Sequence, residues 1–171
     1  MSKPRFATVW LDGCSGCHMS FLDIDERLMD LADKVEVVYS PLVDLKEYPE
    51  SVDIALVEGA VSSEEDERKI RHIRERTKTL VSLGDCAVTG NVPSMRNAFG
   101  LKSVFERAYC DGVPREDVPA LLPQVRPVHE TVGVDMFIPG CPPPADVIYF
   151  VIGELIEGRK PDLSALSRFG A

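Results

Sequence analysis

Five short apolar runs punctuate the chain, and each stops abruptly at a break. Residues 5–11 (RFATVWL), 35–39 (VEVVY), 52–57 (VDIALV), 79–83 (TLVSL) and 136–138 (MFI) are rich in β-branched, aromatic and other apolar side chains. Runs of that length and makeup read as buried strands, the last beginning near Gly133. Between the first two, Met19, Leu22, Leu28, Met29 and Ala32 recur near helical spacing, which predicts one helix over residues 15–32. Residues 62–76 predict a charged helix with Ser62 and Glu65 as its capping box, acids in its first turn and bases in its last. Ile70 and Ile73 are its narrow apolar stripe. Residues 93–99 open a further helix that ends near Gly100. Residues 145–156 form a last apolar helix, closed by Gly158 and Pro161. Strands alternating with helices predict an α/β fold with a parallel sheet covered on both faces. Right-handed crossovers favour a flavodoxin-like, doubly wound parallel sheet of order 2-1-3-4-5.

The 171 residues suggest a single domain spanning 1–171, long enough to bury a core without staples. Residues 111–131 are the weak stretch. They hold Pro114, Pro119, Pro123 and Pro127 and show no convincing periodicity. A connection that long is either functional or ordered by a partner.

Net charge is −9, from 19 basic and 28 acidic side chains. A nucleic-acid binder would carry a basic footprint, and an acidic chain is not drawn to an anionic membrane. The opening residues, MSKPRFATVWLDGC, show no apolar signal core and no twin arginine, so a cytoplasmic location is expected. The longest apolar stretch, residues 147–152, is too short to span a bilayer. In a reducing compartment the five cysteines serve metal or redox chemistry rather than disulfides.

Four of those cysteines follow strands. Cys14 and Cys17 follow the first strand, Cys86 the fourth and Cys141 the fifth. Parallel strands present all ends of one polarity on one edge, where ligands bind. The four thiols are therefore predicted to converge at one rim, with Glu58, which ends the third strand, pointing to the same place. Four thiolates can hold zinc or an iron–sulfur cluster. Only the first pair is a CxxC, Cys141 is followed by proline, and nearby glycines leave room for a bulky cluster. Those features favour iron–sulfur, with a zinc-stapled binding module as the alternative. Cys110 lies off the strand-end pattern and reads as a spare, buried small hydrophobe.

The stretches WLDGCSGCHMSFLD, VDIALVEGA, LGDCAVTGNVPSMRN and IPGCPPPADVI together resemble the small, electron-transferring subunit of nickel–iron hydrogenases, over residues 9–155. Their wording is most similar to the cytoplasmic, bidirectional, NAD-reducing group. The resemblance implies one proximal [4Fe-4S] cluster at the C-terminal strand edge, held by Cys14, Cys17, Cys86 and Cys141. It implies a large subunit with the Ni–Fe centre, and diaphorase subunits carrying further clusters, flavin and NAD. The chain is then one subunit of a hydrogen:NAD⁺ oxidoreductase rather than a complete catalyst. Glu58 matches the acid of the V-E-G motif, which faces the large subunit and relays protons. A related quinone-reductase subunit of respiratory complex I is the other reading, but its cysteines are adjacent, whereas Cys14 and Cys17 are separated by two residues. The loop LDGCSGC carries ligands where a flavin phosphate would sit, so no flavin is expected in this chain. No GxGxxG fingerprint is present for NAD.

Other residues near the motifs have plainer readings. His18 reads as a polar residue at a helix start, with a hydrogen bond to a cluster as the sharper possibility. Asp12 and Asp85 fix turns. Trp10, Phe21 and Tyr149 read as core or interface, and residues 64–76 as a solvated helix face.

Overall fold

The computed structural model describes residues 3–110, 112–113 and 116–166. In chain order it runs β1 (Arg5–Trp10), α1 (Gly16–Leu22), α2 (Arg27–Lys34), β2 (Glu36–Tyr39), β3 (Val52–Glu58), β4 (Val61–Ser63), α3 (Glu64–Arg76), β5 (Thr77–Leu83), α4 (Gly84–Thr89), α5 (Asn91–Ser94), α6 (Gly100–Ala108), β6 (Leu121–Arg126), β7 (Met136–Ile138) and α7 (Ala145–Ile156). Single 3-10 turns cover Met95–Ala98 and Val128–Glu130. Five strands form a parallel sheet in the order β2-β1-β3-β5-β7, which reads 2-1-3-4-5 when only its own strands are counted.

Side chains alternate across that sheet with the two-residue period of a strand. Phe6, Ile54, Leu56, Val81 and Leu83 pack on one side with Ile148, Val151 and Ile152 of α7 and with Ile24 and Leu31. Val9, Val57 and Leu80 pack on the other with Ile70 and Ile73 of α3. Each fully buried aliphatic side chain stabilises the fold by about 1.5–3 kcal/mol relative to exposure. Both faces are covered, so the sheet offers ligands only its edges.

Several local expectations are corrected. The helix expected over residues 15–32 is two helices, broken where Asp25 takes φ 60° and Ile24 turns into the core. Met19 and Met29 are consequently exposed rather than part of an apolar stripe. The capping box of α3 sits one residue later than expected. Ser63 Oγ accepts from the Asp66 amide, and Asp66 Oδ2 accepts from the Ser63 amide. Ser62 is held instead in β4. Gly100 opens α6 rather than closing a helix.

Residues 111–131 also differ from expectation. Asp111, Pro114 and Arg115 lie outside the described residues, but Leu121–Arg126 forms β6, antiparallel to β4. Pro123 interrupts any alternation and is tolerated because β6 lies in a separate two-stranded sheet. Side chains tie this pair to the chain after α5. Arg96 donates to the carbonyls of Leu122 and Ser62, and Asn97 exchanges two hydrogen bonds with Val125. No helix among the described residues is long and apolar enough to cross a membrane.

Candidate metal centre

Register across the sheet aligns Trp10, Glu58, Leu83 and Ile138 in one row at the ends of β1, β3, β5 and β7. Neighbouring parallel strands lie roughly 4.8 Å apart, so the loops leaving that row start side by side. Cys14 and Cys17 come four and seven residues after Trp10, Cys86 three after Leu83, and Cys141 three after Ile138. The sulfurs feel one another. The Cys17 thiol is shifted by Cys86 and Cys14, and the Cys86 thiol by Cys141 and Cys14.

Hydrogen bonds lace the loops together. The Asp85 amide donates to the Gly140 carbonyl (2.8 Å), and the Gly140 amide donates back to Asp85 Oδ1 (2.7 Å). Asp85 thus joins the Cys86 loop to the Cys141 loop from a buried position. The Ser20 hydroxyl donates to the Pro143 carbonyl at 2.6 Å, fixing α1 against the same loop. Asp12 pairs with Ala60 through two backbone hydrogen bonds. Asp85 uses its side chain to bridge two loops, whereas the Asp12 bonds are those of its backbone in a β-bridge.

Gly84 allows the closest approach. Its φ is +81°, and a Cβ there would stand 2.2 Å from Cys17 Sγ. The sulfur occupies the space a side chain would fill.

The thiols divide into two pairs by exposure. Cys17 and Cys86 are partly buried, and Cys14 and Cys141 are exposed. Burial first, and the Glu58 carboxylate second, push the Cys17 thiol far above its usual range. Burial and the neighbouring sulfurs push the Cys86 thiol up to about 11, against a pull from the Val92 amide. A thiol so placed ionises readily only beside a cation, and metal ligation is the chemistry that supplies one. The donors fit a sulfur-ligated group: four thiols on one edge, with glycine where a sulfur crosses the backbone. Among the described residues, no three His, Cys, Asp or Glu side chains are grouped so as to hold one metal ion.

Glu58 is 2% exposed and His18 4%. The His18 amide donates to Glu58 Oε2 at 2.8 Å, and its imidazole Nδ1 stands 3.0 Å from Oε1, off the line of a hydrogen bond. His18 Nε2 has no hydrogen-bond partner among the described residues. His18 is therefore at a helix start, as expected, and is buried against Glu58. Cys110 is corrected in the other direction. It follows α6 on an exposed turn, and no strand brings it to the rim.

Two contacts were not singled out from the sequence. The Asn91 carboxamide donates to Cys141 Sγ at 3.5 Å. Gly16 donates its amide to Cys14 Sγ at 3.4 Å. The Gly90-Asn91 dipeptide at a helix end was the one available signal for the first.

Comparison with known proteins gives a consistent answer. The family described as NADH ubiquinone oxidoreductase, 20 Kd subunit, matches residues 14–155. The delta subunit of the NAD-reducing hydrogenase HoxS of Cupriavidus necator is 45% identical over 98% of this chain and 86% of its own length. A subunit of the F420-non-reducing hydrogenase of Methanothermobacter marburgensis is 38% identical over 94% of this chain, which spans 56% of that relative. A chain from the crystal structure of an NAD⁺-reducing [NiFe]-hydrogenase in the H₂-reduced state superposes with TM-score 0.93 at 40% identity, covering 98% of this chain and 99% of that one. A [NiFeSe] hydrogenase from Desulfovibrio vulgaris Hildenborough shares the fold alone, at TM-score 0.60 and 17% identity over 92% of this chain and 60% of its own. The chain belongs to the NADH ubiquinone oxidoreductase 20 Kd subunit family and is homologous to a subunit of an NAD-reducing hydrogenase, a hydrogen:NAD⁺ oxidoreductase.

Proposed function

We propose that this subunit holds one [4Fe-4S] cluster through Cys14, Cys17, Cys86 and Cys141. Through it the chain carries electrons between a Ni–Fe site in a large subunit and diaphorase subunits that reduce NAD⁺. The observation that carries this reading is that all four cysteines lie just beyond one row of aligned strand ends, at one edge of the sheet. When bound, such a cluster supplies a one-electron relay. The thiols release their protons on ligation. The chain's part is to hold them, screen the inner pair from water and set the local field. Structural zinc sites commonly use two CxxC knuckles, whereas here only Cys14 and Cys17 form one, which favours a cluster over the zinc-stapled module. The family's description is that of a quinone-reductase subunit, but the Cupriavidus necator and Methanothermobacter marburgensis relatives are hydrogenase subunits. The two residues between Cys14 and Cys17 likewise favour the hydrogenase reading over the complex I-like one.

The surroundings fit a subunit of a larger assembly. Cys14 and Cys141 face outward. Beyond Cys86 in sequence, Val92 (63%), Met95 (67%) and Phe99 (70%) are exposed large hydrophobics, which suits an obligate interface. The test is iron and acid-labile sulfide in the purified complex, together with H₂-dependent NAD⁺ reduction. Iron and sulfide at the cluster's stoichiometry are expected. Stoichiometric zinc without iron ends the proposal.

Glu58 is assigned as a proton relay beside the inner sulfurs. Its carboxylate raises the Cys17 thiol and accepts from the His18 amide, and the buried His18 imidazole lies against the same group. Glu58→Gln keeps the shape and removes the proton-carrying oxygen. H/D exchange and H₂ oxidation are expected to fall roughly 100-fold, the lower end of what a positioned acid–base group supplies, with cluster iron retained. Unchanged exchange would refute the relay.

A further inference from the structure

The turn after α4 sets donors on two of the four sulfurs. Gly90 and Asn91 both take positive φ, 84° and 32°, a region that asparagine tolerates better than most side chains. The turn carries Asn91 Nδ2 to 3.5 Å from Cys141 Sγ, fifty residues away in sequence. It also presents the Val92 amide to the Cys86 sulfur. The turn is held from outside. Ser94 donates its amide to the Gly90 carbonyl and its hydroxyl to the Asn91 carbonyl, and Arg96 and Asn97 fasten the following residues to β4 and β6. The Asn91 side chain thus reaches Cys141 from an anchored backbone.

We infer that Asn91 is a positioning residue that donates a hydrogen bond to the Cys141 thiolate and raises the reduction potential of the cluster. The inference rests on the cluster assignment proposed above. Hydrogen bonds to ligand sulfur draw off negative charge and favour the reduced, more negative state, which is one of the protein's means of setting a cluster's potential. The donors to Cys14 and Cys86 are main-chain amides of Gly16 and Val92, unchanged by most side-chain substitutions. Cys17 meets the Glu58 carboxylate instead. Among these contacts Asn91 is the donor that a side-chain substitution removes, so it is the adjustable one.

The experiment is a potentiometric titration of the purified complex followed by electron paramagnetic resonance. Asn91→Gly removes the donor and suits the positive φ, so backbone strain is not the variable. Asn91→Asp keeps the shape but puts a carboxylate where the amide was. One iron–sulfur signal is expected to move to more negative potential in N91G and further in N91D, with all other signals and the iron content unchanged. If every signal keeps its wild-type potential in both variants, the inference is overturned. Loss of iron in both would give Asn91 an assembly role and overturn it equally. Failure of the underlying assignment has a different signature: an assembled Cys86→Ala complex with the full wild-type iron content.

Discussion

Cys86→Ala is expected to abolish H₂-dependent NAD⁺ reduction and to leave the complex short of one cluster's iron and sulfide. Cys110→Ser should keep both at wild-type levels. The contrast follows from placement. Cys86 lies in α4, one residue from the Asp85 anchor, and its sulfur interacts with those of Cys141 and Cys14. Alanine there removes one of four sulfurs and opens the site from its half-buried side. Even an outer partner of a metal ligand is worth about 10–100-fold in affinity or activity, so loss of the ligand itself should exceed 100-fold. Cys110 sits on an exposed turn after α6, and neither Cys17 nor Cys86 draws a shift from it. Iron and sulfide analysis of both variants, beside the rate of NADH formation under H₂, checks the result. Wild-type iron in C86A would remove Cys86 from the ligand set, and iron loss in C110S would mean that a different four were ligands.

The sequence carried the strand-end logic far because it depends on few assignments. Once residues 5–11, 79–83 and 136–138 are parallel strands, Cys14, Cys17, Cys86 and Cys141 must leave one edge, whatever the helices do. The helices were less legible for local reasons. Asp25 and Ile24 break the first helical stretch through a left-handed backbone and a tertiary burial that periodicity does not report. The shift of the α3 cap from Ser62 to Ser63 is one residue within SSEEDE, where two serines and several acids offer competing registers. β6 was hidden because Pro123 breaks its alternation and its partner β4 is three residues long. Asn91 was hidden for a different reason. Its contact with Cys141 spans fifty residues and exists only because Gly90 turns the chain, so no local pattern announces it. The burial of Glu58 and His18 against each other likewise belongs to the meeting of β3 with α1.

Gly84→Ala is expected to empty the site while leaving the fold intact. The added methyl would stand 2.2 Å from Cys17 Sγ, 3.5 Å from the Gly140 carbonyl oxygen and 3.7 Å from Cys17 Cβ. Contacts at 2.2 Å do not occur, so either the sulfur or the backbone must move. The backbone has little freedom, because Asp85 and Gly140 bind each other through two hydrogen bonds one residue away. Alanine also pays about 1–2 kcal/mol for a left-handed φ. The sulfur therefore gives way, and Cys17 is the innermost of the four thiols. The apolar layers on the two faces of the sheet do not include Gly84, so circular dichroism should stay close to wild type. Gly153→Ala is the matched control. Gly153 lies within α7 with nothing within 4 Å of an added Cβ, and alanine there favours the helix by about 1 kcal/mol. G153A should hold its iron and melt slightly higher, whereas G84A should be folded and iron-poor at this site. An iron-replete, active G84A complex would show that Cys17 does not ligate from the position beneath Gly84.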